Sequence, residues 1–484
     1  MKSKKNHNKT YQRRDFIKKA SAASLFSIVP SYAITSLGYK SPNDMINIAA
    51  IGVGNRGGQV IQNIASPDNE IARKSLPGLL VQRYAGIQPE RSGWGGRGSN
   101  RSENKPFKHA NIYAICDVDH EYSSHIINGY PNAKTFHDYR KMIDQEKEID
   151  AVVIATPDHT HAVIASYAMN AGKHVYVEKP MTKTIYESRY LRDLAKKTGV
   201  VTQVGNQGHN VEGTMRTVEW IRSGKIGDVK EVKMWTNRPI WKQGYFDRPE
   251  SQKIPENLKY DLWLGPADYK PYHPDILHFA WRGLWDYGTG AIGDMGAHTF
   301  DAPVWALDLG MPKKIQATST PFNEHYLPQS ESVTYEFDKR GSMPPVKVTW
   351  SDGGIKPARP GKLENGRELQ EVLYIGTKGM IMHGSHGALP ELIPNEPEFS
   401  VNKWLPRPSS VYLEFIEAIK EKRETSNNFD VASKVTEIML LANIAVAAQQ
   451  LDITLEYDST KMKIINSEKA NDYFHSKYRE GWKL

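Results

Sequence analysis

A short, mostly apolar run, Ile46-Asn47-Ile48-Ala49-Ala50-Ile51, stops at Gly52-Val53-Gly54-Asn55-Arg56-Gly57, and the chain then continues in helical style to Ala65. This pattern predicts a buried strand, a tight turn and a helix. Further apolar runs at 111–116, 151–155, 174–177 and 200–204 alternate with helical patterns at 159–171 and 184–197. Strands alternating with helices predict an α/β domain built on a doubly wound parallel sheet of the Rossmann type, over 45–210. After about residue 210 the pattern changes. Segments 229–237, 314–318, 332–337, 346–350, 372–375 and 453–457 read as strands of a large, mainly antiparallel open sheet, with helices near 411–422 and 431–450. They predict a second α/β domain over 211–460, for substrate binding and oligomerisation, followed by a tail, 461–484.

A length of 484 residues, 39% of them hydrophobic, suits two such domains. The net charge of +8 is not a nucleic-acid footprint, because residues 1–20 carry eight Lys or Arg against Asp15 and leave the remainder near +1. Within that head, Gln12-Arg13-Arg14-Asp15-Phe16-Ile17-Lys18 precedes an apolar stretch of small residues from Ala20 to Leu37, broken by Pro30. Residues 1–41 therefore resemble a twin-arginine export signal and linker, with cleavage after Ala33 as a weakly marked option. The export machinery becomes an expected partner and the periplasm the expected location. No later run reaches the roughly 18 consecutive apolar residues of a membrane span. The single cysteine, Cys116, excludes a disulfide framework.

Gly52, Gly54 and Gly57 stand where a dinucleotide fold needs them, for a tight turn, close approach to a pyrophosphate and helix packing. Asn55 and Arg56 lie in the same turn, whose helix amides can receive phosphate. Asp117, ending the second predicted strand, is placed for ribose hydroxyls and favours NAD, with NADP the alternative. It lies 65 residues after Gly52, where about 20 is usual. A Gly-, Pro-, Arg- and Ser-rich insertion over about 66–110 accounts for the excess.

Thr156-Pro157-Asp158-His159-Thr160-His161 and Glu178-Lys179-Pro180 follow the third and fourth predicted strands, at carboxyl ends where ligands bind in open α/β sheets. Here the chain resembles the Gfo/Idh/MocA oxidoreductases, named for glucose-fructose oxidoreductase and inositol dehydrogenase, over about 45–455. The resemblance implies that Lys179 sits beside nicotinamide and substrate, and that Asp294 and His298, four residues apart on one helical face, lie opposite it. Taking hydride from a carbinol carbon needs a base for the hydroxyl proton, a role suited to His298. Lys179 would stabilise charge on the oxygen and Asp294 orient the sugar or the base.

Thr156, Pro157, His161, Glu178, Asn206 and Gln207 are further cofactor candidates, and Asn206 and Gln207 could equally contact substrate. His209, Trp281, Arg282 and Tyr287 are substrate candidates, the aromatic rings as sugar platforms. No zinc site is indicated by His159 and His161. The leading expectation is an exported NAD(P)-dependent oxidoreductase acting on a sugar, cyclitol or glycoside, with a tightly retained cofactor. A redox-assisted glycosidase or lyase and a non-catalytic sugar-binding protein are the alternatives. A homo-oligomer, dimer or tetramer, is expected, because an open antiparallel sheet beside the Rossmann domain would leave an apolar face needing cover by another subunit.

Overall fold

Hydrophobic runs too short for helices become the centre of the first sheet. The computed structural model describes residues 45–65 and 110–484; the expected export signal and the body of the expected 66–110 insertion lie outside the described residues. Strands β1 (Ile46–Ile51), β2 (Ala110–Cys116), β3 (Lys134–Phe136), β4 (Ala151–Ile154), β5 (His174–Val177) and β6 (Thr202–Val204) form a sheet of order β3-β2-β1-β4-β5-β6. Every pairing is parallel. Ile48, Ala49 and Ala50 are all buried, as a strand covered on both faces requires. The edge strand β3 escaped sequence reading because Lys134 and Thr135 are exposed and give no apolar run.

The second sheet has nine strands: β7 (Val229–Trp235), β8 (Lys314–Ser319), β9 (Glu331–Phe337), β10 (Val346–Ser351), β11 (Val372–Gly376), β12 (Met380–His383), β13 (Glu391–Ile393), β14 (Leu455–Asp458) and β15 (Lys463–Ile464). Their order is β13-β12-β11-β7-β10-β9-β8-β14-β15, antiparallel except where β7 meets β10. Its inner face, with Val333, Tyr335, Val348 and Trp350, shares a core with the helix Phe429–Ala448. That helix, with the turn to Leu451, is long and apolar enough to cross a membrane, but it is mostly buried here. On the other face Gln316, Thr334, Glu336, Lys347 and Thr349 alternate with the core residues and are exposed or half-buried. The outer face expected to be apolar is thus polar at these positions, and its Leu373 is covered by Leu363, Met382 and Ile393 of the same chain.

Residues Ile46–Leu484 form one compact unit. The helix Val411–Glu421, expected in the second domain, returns to the first sheet, where Val411, Phe415 and Ile416 join Ile48, Ile61 and Ile64. Residues 461–484 are likewise not a free tail. They supply β15, bury Phe474 and end as a strap in which Tyr478 Oη donates to Glu187 at 2.5 Å. Arg479 donates to Gly265 O and Asp261 O, and the Arg140 guanidinium lies 4.6 Å from the Trp482 ring centre.

Candidate active site

The glycine turn connects β1 to the helix Arg56–Ile64. Gly52 has φ +77°, and a Cβ on Gly57 would lie 1.9 Å from Gly52 O, so the helix can start this close to the turn only with glycine there. Asn55 precedes the helix without capping it, which leaves first-turn amides free of that side chain. Asp117 accepts from Val53 N at 2.8 Å and Asp119 N at 3.0 Å, and burial raises its carboxyl despite both bonds. It pins the turn, and each oxygen keeps a second lone pair for a ribose hydroxyl. At Gly54 a Cβ would lie 2.4 Å from the Tyr122 ring, so its missing side chain admits that ring beside the turn. The left-handed glycine, the uncapped amides and the carboxylate beneath them fit a dinucleotide.

Arg56 is already engaged. It donates to Glu178 at 3.0 Å, to Gln207 at 3.3 Å and to Tyr412 Oη at 2.9 Å, tying the turn to the loops after β5 and β6 and to the returning helix. Thr156 lies beside Gly52 and accepts from Thr160 Oγ1, while Pro157 opens the helix Asp158–Asn170. His161 is buried with Nδ1 2.9 Å from Pro180 O and Nε2 2.9 Å from Thr156 O. The ring is thus wedged between carbonyls of the two loops and donates to one of them.

At the carboxyl end of β5, Lys179 Nζ donates to Asp294 Oδ1 at 2.8 Å and to Asp294 O at 2.9 Å. Burial alone would raise the Asp294 carboxyl, but Lys179, Arg282 and Arg238 outweigh it and hold the group well below the usual carboxylate range. Arg282 Nε lies 3.8 Å and Arg238 Nε 3.6 Å from Asp294, and Arg282 also grips Asp158 at 3.0 Å. The helix Gly290–Thr299 carries Asp294 and His298 one turn apart. His298 Nδ1 lies 2.7 Å from Asn206 Oδ1, and Asn206 Nδ2 donates to Ala297 O at 2.8 Å. That second bond fixes the amide orientation, so Nδ1 carries the proton and Nε2 keeps its lone pair. Burial, then His386, Lys179, Arg56 and Arg238, push the His298 pKa well below its ordinary value. The ring is a neutral acceptor surrounded by cations.

Several residues singled out in the sequence have other work. Asn206 orients His298 instead of facing a ligand with its oxygen. His209 is buried against Asp301, with Nδ1 2.9 Å from the carboxylate; burial opposes its charged form, but Asp301 prevails and raises its pKa. Tyr287 is fully buried beside Trp263 and His159, accepts from Arg248, and offers no face to a sugar. Trp281 is half-buried, with the Arg282 guanidinium 4.5 Å from its ring centre. Sequence reading missed Asp158 as the partner of Arg282, Arg238 just beyond β7, and His386. Arg238 had no motif; His386 was signalled only by the flanking glycines of Gly384-Ser385-His386-Gly387. Among the described residues no cluster suited to a metal occurs.

Comparison with known proteins agrees with this architecture. The oxidoreductase family's C-terminal alpha/beta domain matches residues 229–484, and its NAD-binding Rossmann fold matches 92–206. Levoglucosan dehydrogenase of Pseudarthrobacter phenanthrenivorans is 36% identical over 173 residues, covering 36% of each chain. Glycosyl hydrolase family 109 protein 2 of a Shewanella species is 36% identical over 208 residues, 40% of this chain and 45% of that one. The chain thus aligns with less than half the length of either relative. A solved levoglucosan dehydrogenase, in complex with NADH and levoglucosan, superimposes with TM-score 0.51 over 85% of this chain and 99% of that one, at 16% identity, a likeness of fold. The chain belongs to the Gfo/Idh/MocA oxidoreductase family, with an NAD-binding Rossmann domain joined to that family's C-terminal alpha/beta domain.

Proposed function

We propose that this protein is an exported oxidoreductase that moves hydride to or from a ring carbinol carbon of a sugar, cyclitol or glycoside, holding its NAD through many turnovers. The observation that carries the reading is the pairing of a neutral His298, with Nε2 unprotonated, and an ammonium at Lys179 anchored by Asp294. When bound, NAD supplies the two-electron acceptor. His298 Nε2 takes the hydroxyl proton as the C–H bond breaks and returns it in the reverse direction; its lowered pKa keeps the ring in the unprotonated form that can accept. Lys179 Nζ donates to the same oxygen and stabilises the charge that develops there. Asp294 holds Lys179 in place and, with Arg282 and Arg238, lines the site with groups that hydrogen-bond a polyol. Asp117, Gly52 and the amides of the first helical turn hold the dinucleotide.

Export is supported by the Arg13-Arg14 signal, and retention follows from it: outside the inner membrane free NAD is not maintained, so each cycle must return the cofactor to its starting state. Hydride exchange between two sugars meets that condition. Oxidation and re-reduction of one glycoside around an elimination step also meets it, a second reading favoured by the 36% identity to a family 109 glycosyl hydrolase.

The test is to purify the protein without added nucleotide, dialyse it, and supply a panel including levoglucosan and myo-inositol. NADH absorbance, exchange between sugars and glycoside cleavage are then followed. Lys179→Ala or His298→Ala should abolish turnover while NAD binding persists. Near wild-type rates in either variant would overturn the site, and an empty protein needing millimolar NAD would overturn retention.

A further inference from the structure

His386 lies in the loop between β12 and β13, far along the chain from every motif of the Rossmann half. Its ring nonetheless stacks on His298, with centroids 3.8 Å apart and planes 28° from parallel. The backbone has been shaped to bring it there. His386 adopts φ +60°, a left-handed conformation uncommon for a residue with a side chain. Two glycines on the opposite side make room: a Cβ on Gly208 would lie 2.9 Å from the His386 carbonyl carbon, and one on Gly213 would lie 2.1 Å from Gly387 O. Gly387 itself has φ +73° and lies against Val211.

We propose that His386 is a positioning residue for the candidate site: its ring holds the face of the His298 imidazole while Asn206 holds its edge, so that Nε2 keeps one direction and one protonation state. The proposal rests on the reading of His298 as the proton acceptor. An imidazole tied at one edge alone can still swing about that hydrogen bond. A second ring against its face removes that freedom, and productive proton transfer depends on orientation as well as basicity. The charged groups bearing on the stack are Lys179, Arg56, Arg238 and Asp294, and the stacked pair of imidazoles further disfavours a proton on His298. His386 reaches the surface, whereas His298 is buried, so the stack also covers the acceptor on its solvent side.

The experiment compares imidazole NMR titrations over roughly pH 5 to 8 in histidine-labelled wild type, His386→Phe and His386→Gly, with His298→Asn assigning the His298 signals. Glycine tolerates the left-handed backbone, and a thermal melt verifies folding. Wild type and His386→Phe should keep His298 neutral with the proton on Nδ1. In His386→Gly the His298 titration should move up toward the ordinary imidazole range, while Asn206 keeps the proton of the neutral ring on Nδ1. Turnover on the best substrate of the panel should fall about tenfold or more in His386→Gly, with KM little changed, and stay close to wild type in His386→Phe. An identical His298 titration in His386→Gly and wild type would overturn the proposal, as would full turnover despite a changed titration. Wild type that turns over no sugar while the titrations behave as expected would leave the stack upheld and remove the functional reading instead.

Discussion

Asn206 determines which nitrogen of His298 is basic. With its Nδ2 committed to Ala297 O, its Oδ1 can only accept, and the 2.7 Å bond from His298 Nδ1 leaves Nε2 as the lone-pair nitrogen. Asn206→Leu removes that constraint and should lower turnover about tenfold or more, without changing NAD affinity. Asn206→Asp keeps the acceptor but adds negative charge, which favours imidazolium and raises the His298 pKa. The acid limb of the rate profile should then move to higher pH, since the base must be unprotonated to act. A limb that stays in place in Asn206→Asp would show that another group takes the proton.

Buried neutral histidines should make the fold acid-sensitive. Burial lowers His159 to about 3 and His383 to about 4, and lowers His298 well below its ordinary value. In the unfolded chain each takes a proton near pH 6.5, so their stabilisation is complete above that pH and is lost as pH falls toward the folded values. Each group costs about 1.4 kcal/mol per pH unit in that window. His209, raised by Asp301, acts oppositely and loses its contribution as pH rises through its folded value. The Asp117, Glu187, Glu331 and Asp352 carboxyls, raised by burial, also oppose the trend as pH falls. The histidine contribution is therefore read by difference: between roughly pH 6.5 and 4.5, Tm by calorimetry should change less unfavourably in a His159→Phe, His383→Phe double variant than in wild type. The same change of Tm in the double variant and in wild type would contradict the burial of these rings as neutral bases.

The C-terminal strap should contribute measurably to stability. Glu187 is buried, its carboxyl raised by burial, and it depends on Tyr478 Oη together with the Lys183 and Thr184 amides. Tyr478→Phe leaves a buried carboxyl short of one donor, at a cost of about 1–3 kcal/mol. Deleting residues 475–484 should cost more, because Trp482 and the Arg479 bonds are lost as well. Urea melts of the two variants provide the comparison. A deletion that unfolds at the wild-type urea midpoint would mean that the strap is not docked in solution.

One alanine substitution made at two glycines should have opposite consequences. At Gly57 the added Cβ meets backbone, Gly52 O at 1.9 Å, which cannot move without opening the turn. The cost should be about 1–3 kcal/mol or more, with weaker NAD binding. At Gly310 nothing lies within 4 Å of the added Cβ, so Gly310→Ala should be neutral or stabilising by up to about 1 kcal/mol. Equal melting temperatures for the two variants would mean that the contact beneath the turn is looser than the structure has it.

Local pattern was sufficient wherever one element buries its own face. The runs around Ile48, Val152, Val175 and Val204 read as parallel strands because residues covered on both sides leave no alternation, and the strands of the second sheet read from alternation such as Ser332-Val333-Thr334-Tyr335. The glycine turn, the lysine after β5 and the four-residue spacing of Asp294 and His298 were legible for the same reason: each depends on neighbours within a few residues. Partners distant in sequence were not legible. That Asn206 serves His298, that Arg238 and Arg282 converge on Asp294, that the helix Val411–Glu421 returns to the first sheet and that His386 arrives from a loop between two short strands are all decided by tertiary contacts. Periodicity records which face of an element is buried, but not what covers it, and hydrogen bonds between residues 92 positions apart leave no mark on either segment alone. The sequence by itself thus determined the two sheets and the types of residue at the candidate site, and the packing of one domain's loops against the other's helix decided which of those residues come together there and which hold their neighbours in place.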